Sequence, residues 1–140
     1  MKSIITLGLA ALLAAMPAAA QSDDPDWYFI DTIDGWDWHA DLNSGRLSGD
    51  FIYFWSKTDL PPESTREYWR ARRLHKVECE AGMMKMLILN AYNDRGGLEQ
   101  TRSVPDTPGL DGFEVPKAGS PEEELLIFAC YTGPMVLKED

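Results

Sequence analysis

The residues best suited to chemistry are a histidine, a cysteine and three methionines that lie close together in the chain. They are His75, Cys79, Met83, Met84 and Met86. Thiolate, thioether and imidazole groups suit copper(I), so the cluster could serve a metal-binding protein. Methionine also fills irregular cores, and the spacing of the three methionines fits ordinary strand packing. Core packing is the favoured interpretation, and no metal site is predicted.

Catalytic motifs are absent from the sequence. The chain has only two histidines, His39 and His75, and no GxSxG, HExxH or P-loop pattern. Four aspartates fall between residues 31 and 41, but their spacing does not match a calcium-binding loop. We therefore predict a protein that is not an enzyme and that uses no cofactor.

One basic segment is a candidate binding surface. The formal net charge is −10, yet five cations fall between residues 66 and 76. In a strand, Arg70, Arg72 and Lys76 would share one face, where they could steer an acidic protein partner. The alternative, which we favour, is a solvated face neutralised by neighbouring carboxylates. The acidity of the whole chain disfavours nucleic-acid binding and docking on anionic lipid.

The first twenty residues have the pattern of a cleavable secretion signal. Lys2 supplies a positive start, Ile4 to Met16 is apolar, and Ala18–Ala20 forms a small-residue cleavage site. The apolar run of about 13 residues is too short for a membrane-spanning helix, which needs roughly 20. We expect a signal peptide at 1–20 and one domain at 21–140, with no stable membrane anchor after cleavage.

Export changes the interpretation of the only two cysteines, Cys79 and Cys130. Outside the inner membrane the environment is oxidising, so the pair is interpreted first as a disulfide. A metal pair or a redox pair is the alternative, although a redox pair usually has close CxxC spacing. A disulfide across this separation would contribute about 4 kcal/mol to stability.

The elements that must position these residues are mostly strands. Asp34-Gly35 lies between two alternating runs and predicts a type I′ hairpin turn. The first run should place Trp27, Phe29 and Ile33 on one face. The second should place one set of apolar residues together, namely Trp36, Trp38, Ala40 and Leu42. Further strands are predicted at Phe51–Lys57, about Arg70–Cys79, Met83–Tyr92 and about Leu98–Val104.

A helix is predicted near the end of the chain. Ser120 and Glu123 form a capping box, and Pro121 suits the first helical position. An apolar stripe should then face the sheet, formed by Leu125, Leu126, Ala129 and Cys130. Residues 43–49 are predicted as a turn, 105–119 as a loop and 135–140 as a tail. Ser64 and Glu67 also resemble a capping box, which leaves a helix over 65–80 as the alternative to a strand there.

Taken together, the pattern resembles the bacterial surface-adhesin protein E family. The similarity runs from Asp26-Trp27 through the hairpin, Phe54-Trp55 and Glu78-Cys79 to Pro116–Ser120 and a helix that ends in Cys130. The resemblance implies an α+β domain: a single antiparallel sheet of about six strands, with a C-terminal helix packed on it. It also implies that one disulfide, Cys79–Cys130, pins the helix to the sheet.

The resemblance also bears on function. The adhesin of the family is a surface lipoprotein that binds host matrix and serum proteins. No cysteine follows the predicted cleavage site here, so we expect a periplasmic or secreted protein instead. The predicted function is non-enzymatic binding of an unknown protein partner at the cell envelope. A periplasmic copper-binding protein and an enzyme of the envelope are the alternatives.

The Ala18–Ala20 site predicts that the exported protein begins at Gln21. The intact mass of the protein recovered after export should therefore correspond to residues 21–140, less one ammonia where Gln21 has cyclised to pyroglutamate. An exported chain that keeps Met1, or that carries a lipid, would contradict the prediction.

Overall fold

The structure is a computed structural model that describes residues 24–60 and 69–140. The strands are β1 (Trp27–Ile33), β2 (Trp36–Asp41), β3 (Arg46–Ser48), β4 (Phe51–Asp59), β5 (Arg70–Glu78), β6 (Met83–Tyr92), β7 (Leu98–Ser103) and β8 (Lys138–Glu139). A helix, α1 (Pro121–Ile127), continues into a π-helical turn, Phe128–Thr132. Several features of the sequence analysis lie outside the described residues: the signal segment 1–20, the first cation of the basic segment, Arg66, and the pair Ser64 and Glu67.

The described strands form one open sheet in the order β1-β2-β4-β5-β6-β7. The short strand β3 pairs with β4, and β8 pairs with β3 in parallel, while the other pairings are antiparallel. The predicted fold class is therefore confirmed. β5 spans Arg70–Glu78, which settles the ambiguity of that segment in favour of a strand.

The first hairpin forms as predicted. Asp34 and Gly35 alone join β1 to β2, and their φ angles are 53° and 78°. Two successive positive φ angles define the type I′ turn, whose twist matches that of the flanking strands. In β2, Trp36, Trp38 and Ala40 all face the core, as the alternation predicts.

A β-bulge makes β1 differ from the prediction. The register between β1 and β2 shifts between Phe29 and Asp31. One extra residue reverses the alternation beyond it. Ile33 therefore packs against the core, whereas Phe29 contacts the ring of His39 and is 52% exposed. The prediction that Ile33 shares a face with Trp27 and Phe29 is wrong.

The last residues of the chain pack against the sheet and do not form the predicted tail. β8 pairs with β3, a strand that lies within the segment predicted as a turn. Met135 and Leu137 contact the core. A Cβ atom on Gly45 would lie 2.5 Å from Cγ of Met135, so glycine is what allows this close approach.

The helix begins as its sequence predicts. Ser120 is the N-cap, and its Oγ accepts a hydrogen bond from the amide of Glu123 at 3.3 Å. The Glu123 carboxylate reaches back to the amide of Gly119 at 3.2 Å, one residue before the cap. Leu125 and Leu126 are buried against the sheet, so the apolar stripe faces the core.

The core lies between α1 and one face of the sheet. Its buried members are Trp38, Ala40, Ile52, Phe54, Val77, Met84, Leu125, Leu126 and Phe128. The disulfide Cys79–Cys130 joins the end of β5 to the turn after α1, with Cα atoms 5.6 Å apart. The helix is thus held on this face by apolar packing and by a covalent bond.

Loss of the disulfide should destabilise the domain by about 2–5 kcal/mol, because the unfolded chain regains the freedom of a long loop. Cys79→Ala with Cys130→Ala should therefore lower the midpoint of guanidinium unfolding and steepen the slope, because the unfolded chain without the cross-link exposes more surface. The oxidised parent protein is the reference. Equal midpoints for the two proteins would contradict this role for the disulfide.

A buried polar pair lies within the core. His75 is 2% exposed, Ser56 is fully buried, and 2.7 Å separates Ser56 Oγ from His75 Nε2. Burial, with a smaller contribution from the positive charge of Arg73, lowers the pKa of His75 to about 3. His75 is therefore neutral in the folded protein at ordinary pH, whereas in the unfolded chain it titrates near its usual value of 6.5.

This pKa difference predicts acid destabilisation. Below a pH of about 6.5 the unfolded chain takes up a proton that the folded protein excludes, so stability is lost as pH falls, by up to about 1.4 kcal/mol per pH unit. Asp59 and Asp106 have folded pKa values below 3.8, so their own contributions are lost at lower pH. The free energy of unfolding, measured with urea between pH 7 and 4, should fall steeply as the pH is lowered. His75→Gln should reduce this fall.

His39→Gln is the matched control for the pH experiment, because His39 is partly exposed and lies outside the core. That variant should keep most of the steep loss. A wild-type stability that stays flat from pH 7 to 4, or a loss that His75→Gln leaves intact, would contradict the assignment.

Candidate functional site

The face of the sheet opposite α1, here called the open face, carries the basic residues of β5. Side chains alternate across a strand, so the inward positions of His75 and Val77 place Arg72 and Lys76 on the opposite side. Residues directly opposed in neighbouring strands share a face. The open face therefore also carries Lys57 of β4, which is paired with Arg72.

A loop of residues 105–113 covers one end of the open face. Its residue Asp106 accepts a hydrogen bond from Lys76 Nζ at 2.6 Å and another from the Tyr53 hydroxyl at 2.9 Å. Lys76 Nζ lies 4.2 Å from the centre of the Phe51 ring, and the Lys76 side chain is only 4% exposed. Phe113, itself buried, packs 5.7 Å from Phe51, so the loop closes over the lysine.

The charges under this loop are matched. Burial alone would lower the pKa of Lys76, but its hydrogen bonds to Asp106 and Tyr53 hold that pKa above its ordinary value. The hydrogen bond from Lys76 lowers the pKa of Asp106. Lys85 also donates to the loop carbonyls of Pro105 and Asp111, at 3.3 and 3.1 Å. This end of the open face is therefore a neutralised, closed structure.

The other end of the open face is uncovered and concave. A hollow of about 290 Å³, called the Arg72 hollow, is lined by Pro25, Trp27, Asp41, Trp55, Arg72, Asn90 and Tyr92. The guanidinium carbon of Arg72 lies 5.5 Å from the centre of a Trp27 ring and 5.6 Å from that of Tyr92. At these distances a cation is attracted to both aromatic faces. The arginine is thus held between two aromatic side chains.

Asp41 fixes one wall of the Arg72 hollow. Its side chain is buried, and its Oδ1 accepts hydrogen bonds from the amides of Asp26 and Asn43 at 2.9 and 3.0 Å. These bonds tie the start of β1 and the turn after β2 to one carboxylate. The Asp41 carboxylate therefore shapes the rim of the hollow and adds a negative charge to it.

The basic residues next to Arg72 share one carboxylate, whereas Arg72 has no ion pair among the described residues. Asp59 pairs with Arg70 at 2.5 Å and with Lys57 at 2.9 Å. Burial would raise the pKa of Asp59, yet the hydrogen bonds from these two cations hold it below its ordinary value. Within the described ranges Arg72 has no ion pair, and its buried Nε donates no hydrogen bond.

The three predicted partner-binding residues lie on one face, as the strand alternation required, but their surroundings differ. Arg70 is exposed and paired with Asp59. Lys76 is buried under the 105–113 loop, which corrects the expectation that it is an exposed charge. Of these three residues, Arg72 is the one that lies at an accessible hollow and has no ion pair with any described residue. The predicted stripe is therefore divided by the loop into a closed end and an open end.

Sequence reasoning missed the walls of the hollow. Trp27, Trp55, Asn90 and Tyr92 come from three different strands, and only the register of those strands brings them around Arg72. The alternation within β5 places Arg72 on a face but says nothing about its neighbours. The one available signal was the odd-numbered aromatic pair Trp27 and Phe29 before the hairpin.

The cluster considered for copper is dispersed. Cys79 is bonded to Cys130 and offers no thiolate. His75 and Met84 are buried on the core side, while Met86 is 42% exposed. Among the described residues, no group of three or more His, Cys, Asp or Glu side chains is placed to hold a metal ion.

In the parts of the chain that the structure describes, no helix has the length and apolar character needed to cross a membrane.

The comparisons with known proteins identify the family. A family model for surface-adhesin protein E matches residues 27–131, a range that contains β1 to β7, α1 and both cysteines. No curated protein and no solved structure matches the chain. This chain belongs to the surface-adhesin protein E family.

Proposed function

We propose that this protein is an exported, non-enzymatic binding protein of the bacterial cell envelope that recognises a protein partner through its open face. The observation that carries the proposal is the Arg72 hollow, a concave site in which a cation without an ion pair to any described residue lies between aromatic walls. Tyrosine, tryptophan and arginine are the residues that most often dominate protein interfaces. The surface-adhesin family of the chain supports a binding role.

The chemistry of the described residues favours binding over catalysis. The one serine–histidine contact, between Ser56 and His75, lies inside the core, where no substrate reaches it. A catalytic hydroxyl needs a base within reach and access to the substrate together. The Arg72 hollow offers donors and aromatic surface but contains no such pair of groups.

Location follows from the N-terminal pattern and the family. The signal pattern at residues 1–20 supports export, and the family of surface adhesins supports a place at the envelope. Without a cysteine at the cleavage site for lipid attachment, the protein acts in the periplasm or after release from the cell. There it meets envelope or extracellular proteins in folded, disulfide-bonded form.

Site-specific photo-crosslinking in living cells tests the proposal. A photoreactive amino acid at Asn90, in the wall of the hollow, should capture a partner of defined mass. The same amino acid at the exposed Lys117, which lies in the connection to α1 on the other side of the sheet, is the control and should not. Trp27→Ala should reduce the Asn90 crosslink several-fold, because it removes one aromatic wall.

Tyr131→Ala is the matched control for Trp27→Ala, since Tyr131 is an exposed aromatic residue beside the disulfide. It should leave the Asn90 crosslink unchanged. Crosslinks that are equal at Asn90 and Lys117, or that survive Trp27→Ala, would show that the open face is not the binding surface.

A further inference from the structure

We infer that the Arg72 hollow is a receptor for a side-chain carboxylate, an Asp or Glu on an extended segment of a partner protein. Arg72 grips the carboxylate with two parallel hydrogen bonds, while the aromatic walls contact the neighbouring residues of the segment. This inference rests on the proposed function and specifies the chemistry of its site.

Arg72 is held in place before any ligand arrives. Trp27 and Tyr92 flank its guanidinium at 5.5 and 5.6 Å, and Lys57 lies over Trp27 at 5.2 Å from the ring centre. An arginine confined between two aromatic side chains has lost much of its rotational freedom, so a ligand need not impose that loss. The planar fork of a guanidinium matches a carboxylate in geometry.

Arg72 has hydrogen-bonding capacity that no described residue uses. Nε of Arg72 is buried, and no described residue accepts its hydrogen. A buried donor without a partner destabilises a protein. The neighbouring cations are satisfied: Arg70 and Lys57 by Asp59, and Lys76 by Asp106. Among the described cations of the open face, Arg72 and Lys85 have no ion pair, but Lys85 donates to two loop carbonyls whereas Nε of Arg72 has no acceptor.

The surrounding charge selects a singly charged ligand. The Asp41 carboxylate is part of the hollow, and the chain carries a net charge of −10. A phosphate with close to two charges, or a polyanion such as a nucleic acid, would meet more repulsion than a lone carboxylate. A lone carboxylate is the anion that meets the least repulsion here, and its two oxygens match the guanidinium fork, which makes an Asp or Glu side chain the matching group.

The shape of the open face favours an extended segment over an isolated small molecule. A second, smaller hollow of about 170 Å³ shares Tyr92 with the first, and its lining includes Trp69, Arg70 and the carboxylates of Asp59 and Asp94, so it suits the apolar or basic residues of a segment and not its acidic one. The two hollows therefore adjoin along the sheet. A segment lying across them would place its acidic side chain at Arg72 and its flanking apolar side chains against Trp27, Trp55 and Tyr92.

Nuclear magnetic resonance titration of the exported, oxidised protein tests this assignment. The probes are the capped peptide acetyl-Val-Glu-Val-amide and its neutral counterpart acetyl-Val-Gln-Val-amide. The glutamate peptide should produce saturable shifts of the Arg72 Nε–H signal and of the Trp27 and Trp55 indole signals. The affinity of the glutamine peptide should be lower by about tenfold or more, because this peptide cannot form the charged bidentate contact.

Three variants separate the contribution of the forked guanidinium geometry from that of the positive charge. Arg72→Gln removes both and should lower the affinity for the glutamate peptide by about tenfold or more. Arg72→Lys keeps the charge but loses the fork, and should give an intermediate affinity. Arg102→Gln is the matched control: Arg102 is exposed and opposes Leu89, on the face away from Arg72, so the affinity should not change. Dispersed spectra confirm that each variant is folded.

Each other outcome overturns the inference. Equal binding of the two peptides, or binding retained in Arg72→Gln, would exclude a carboxylate receptor. Tighter binding of inorganic phosphate would assign the hollow to phosphate. Tighter binding of acetyl-Val-Gln-Val with a free C-terminus would assign it to chain ends. Absence of any shift, with Asn90 crosslinking intact, would remove the carboxylate chemistry but leave the proposed binding function standing.

Discussion

Alternation of side chains across β5 is the constraint on which the rest of the structure depends. His75 and Val77 must point inward, because the core beneath α1 needs them and the disulfide after β5 holds the helix over that face. Once these positions are fixed, the alternation of side chains places Arg70, Arg72 and Lys76 on the other face. The same packing that buries a neutral histidine in the core thus sets the cations of the open face in a row.

A single loop then decides what each cation can do. The 105–113 loop reaches across one end of the open face, where Lys85 anchors its carbonyls and Asp106 neutralises Lys76. Lys76 and Arg72 stand four residues apart on one strand, yet the first is structural and the second is available. The two residues have the same strand parity and the same charge. Their different roles therefore come from the loop, which covers Lys76 and leaves Arg72 uncovered.

Features that depend on a few neighbouring residues could be predicted from the sequence. Features that depend on contacts between distant segments of the chain could not. The Asp34-Gly35 turn, the capping of α1 by Ser120 and the strand alternation in β5 each depend on a few neighbouring residues. The bulge in β1 cannot be recognised from the alternation of residue types in β1 alone. It becomes visible only in the register between β1 and β2. The parallel pair of β3 and β8 joins the middle of the chain to its end, and the Arg72 hollow needs the register of five strands.

Family membership and the chemistry of the hollow explain different things, although most residues of the hollow lie within the matched range. Membership rests on the whole matched range, 27–131, which includes the hairpin, the strands, the helix and the cysteine pair, all of which determine the fold. A fold of this kind supplies an uncovered sheet face but does not choose its side chains. The position of Arg72 between Trp27 and Tyr92 is observed in the structure of this chain itself. Its partner must therefore be inferred from that local chemistry, because the scaffold alone would accommodate many different surfaces.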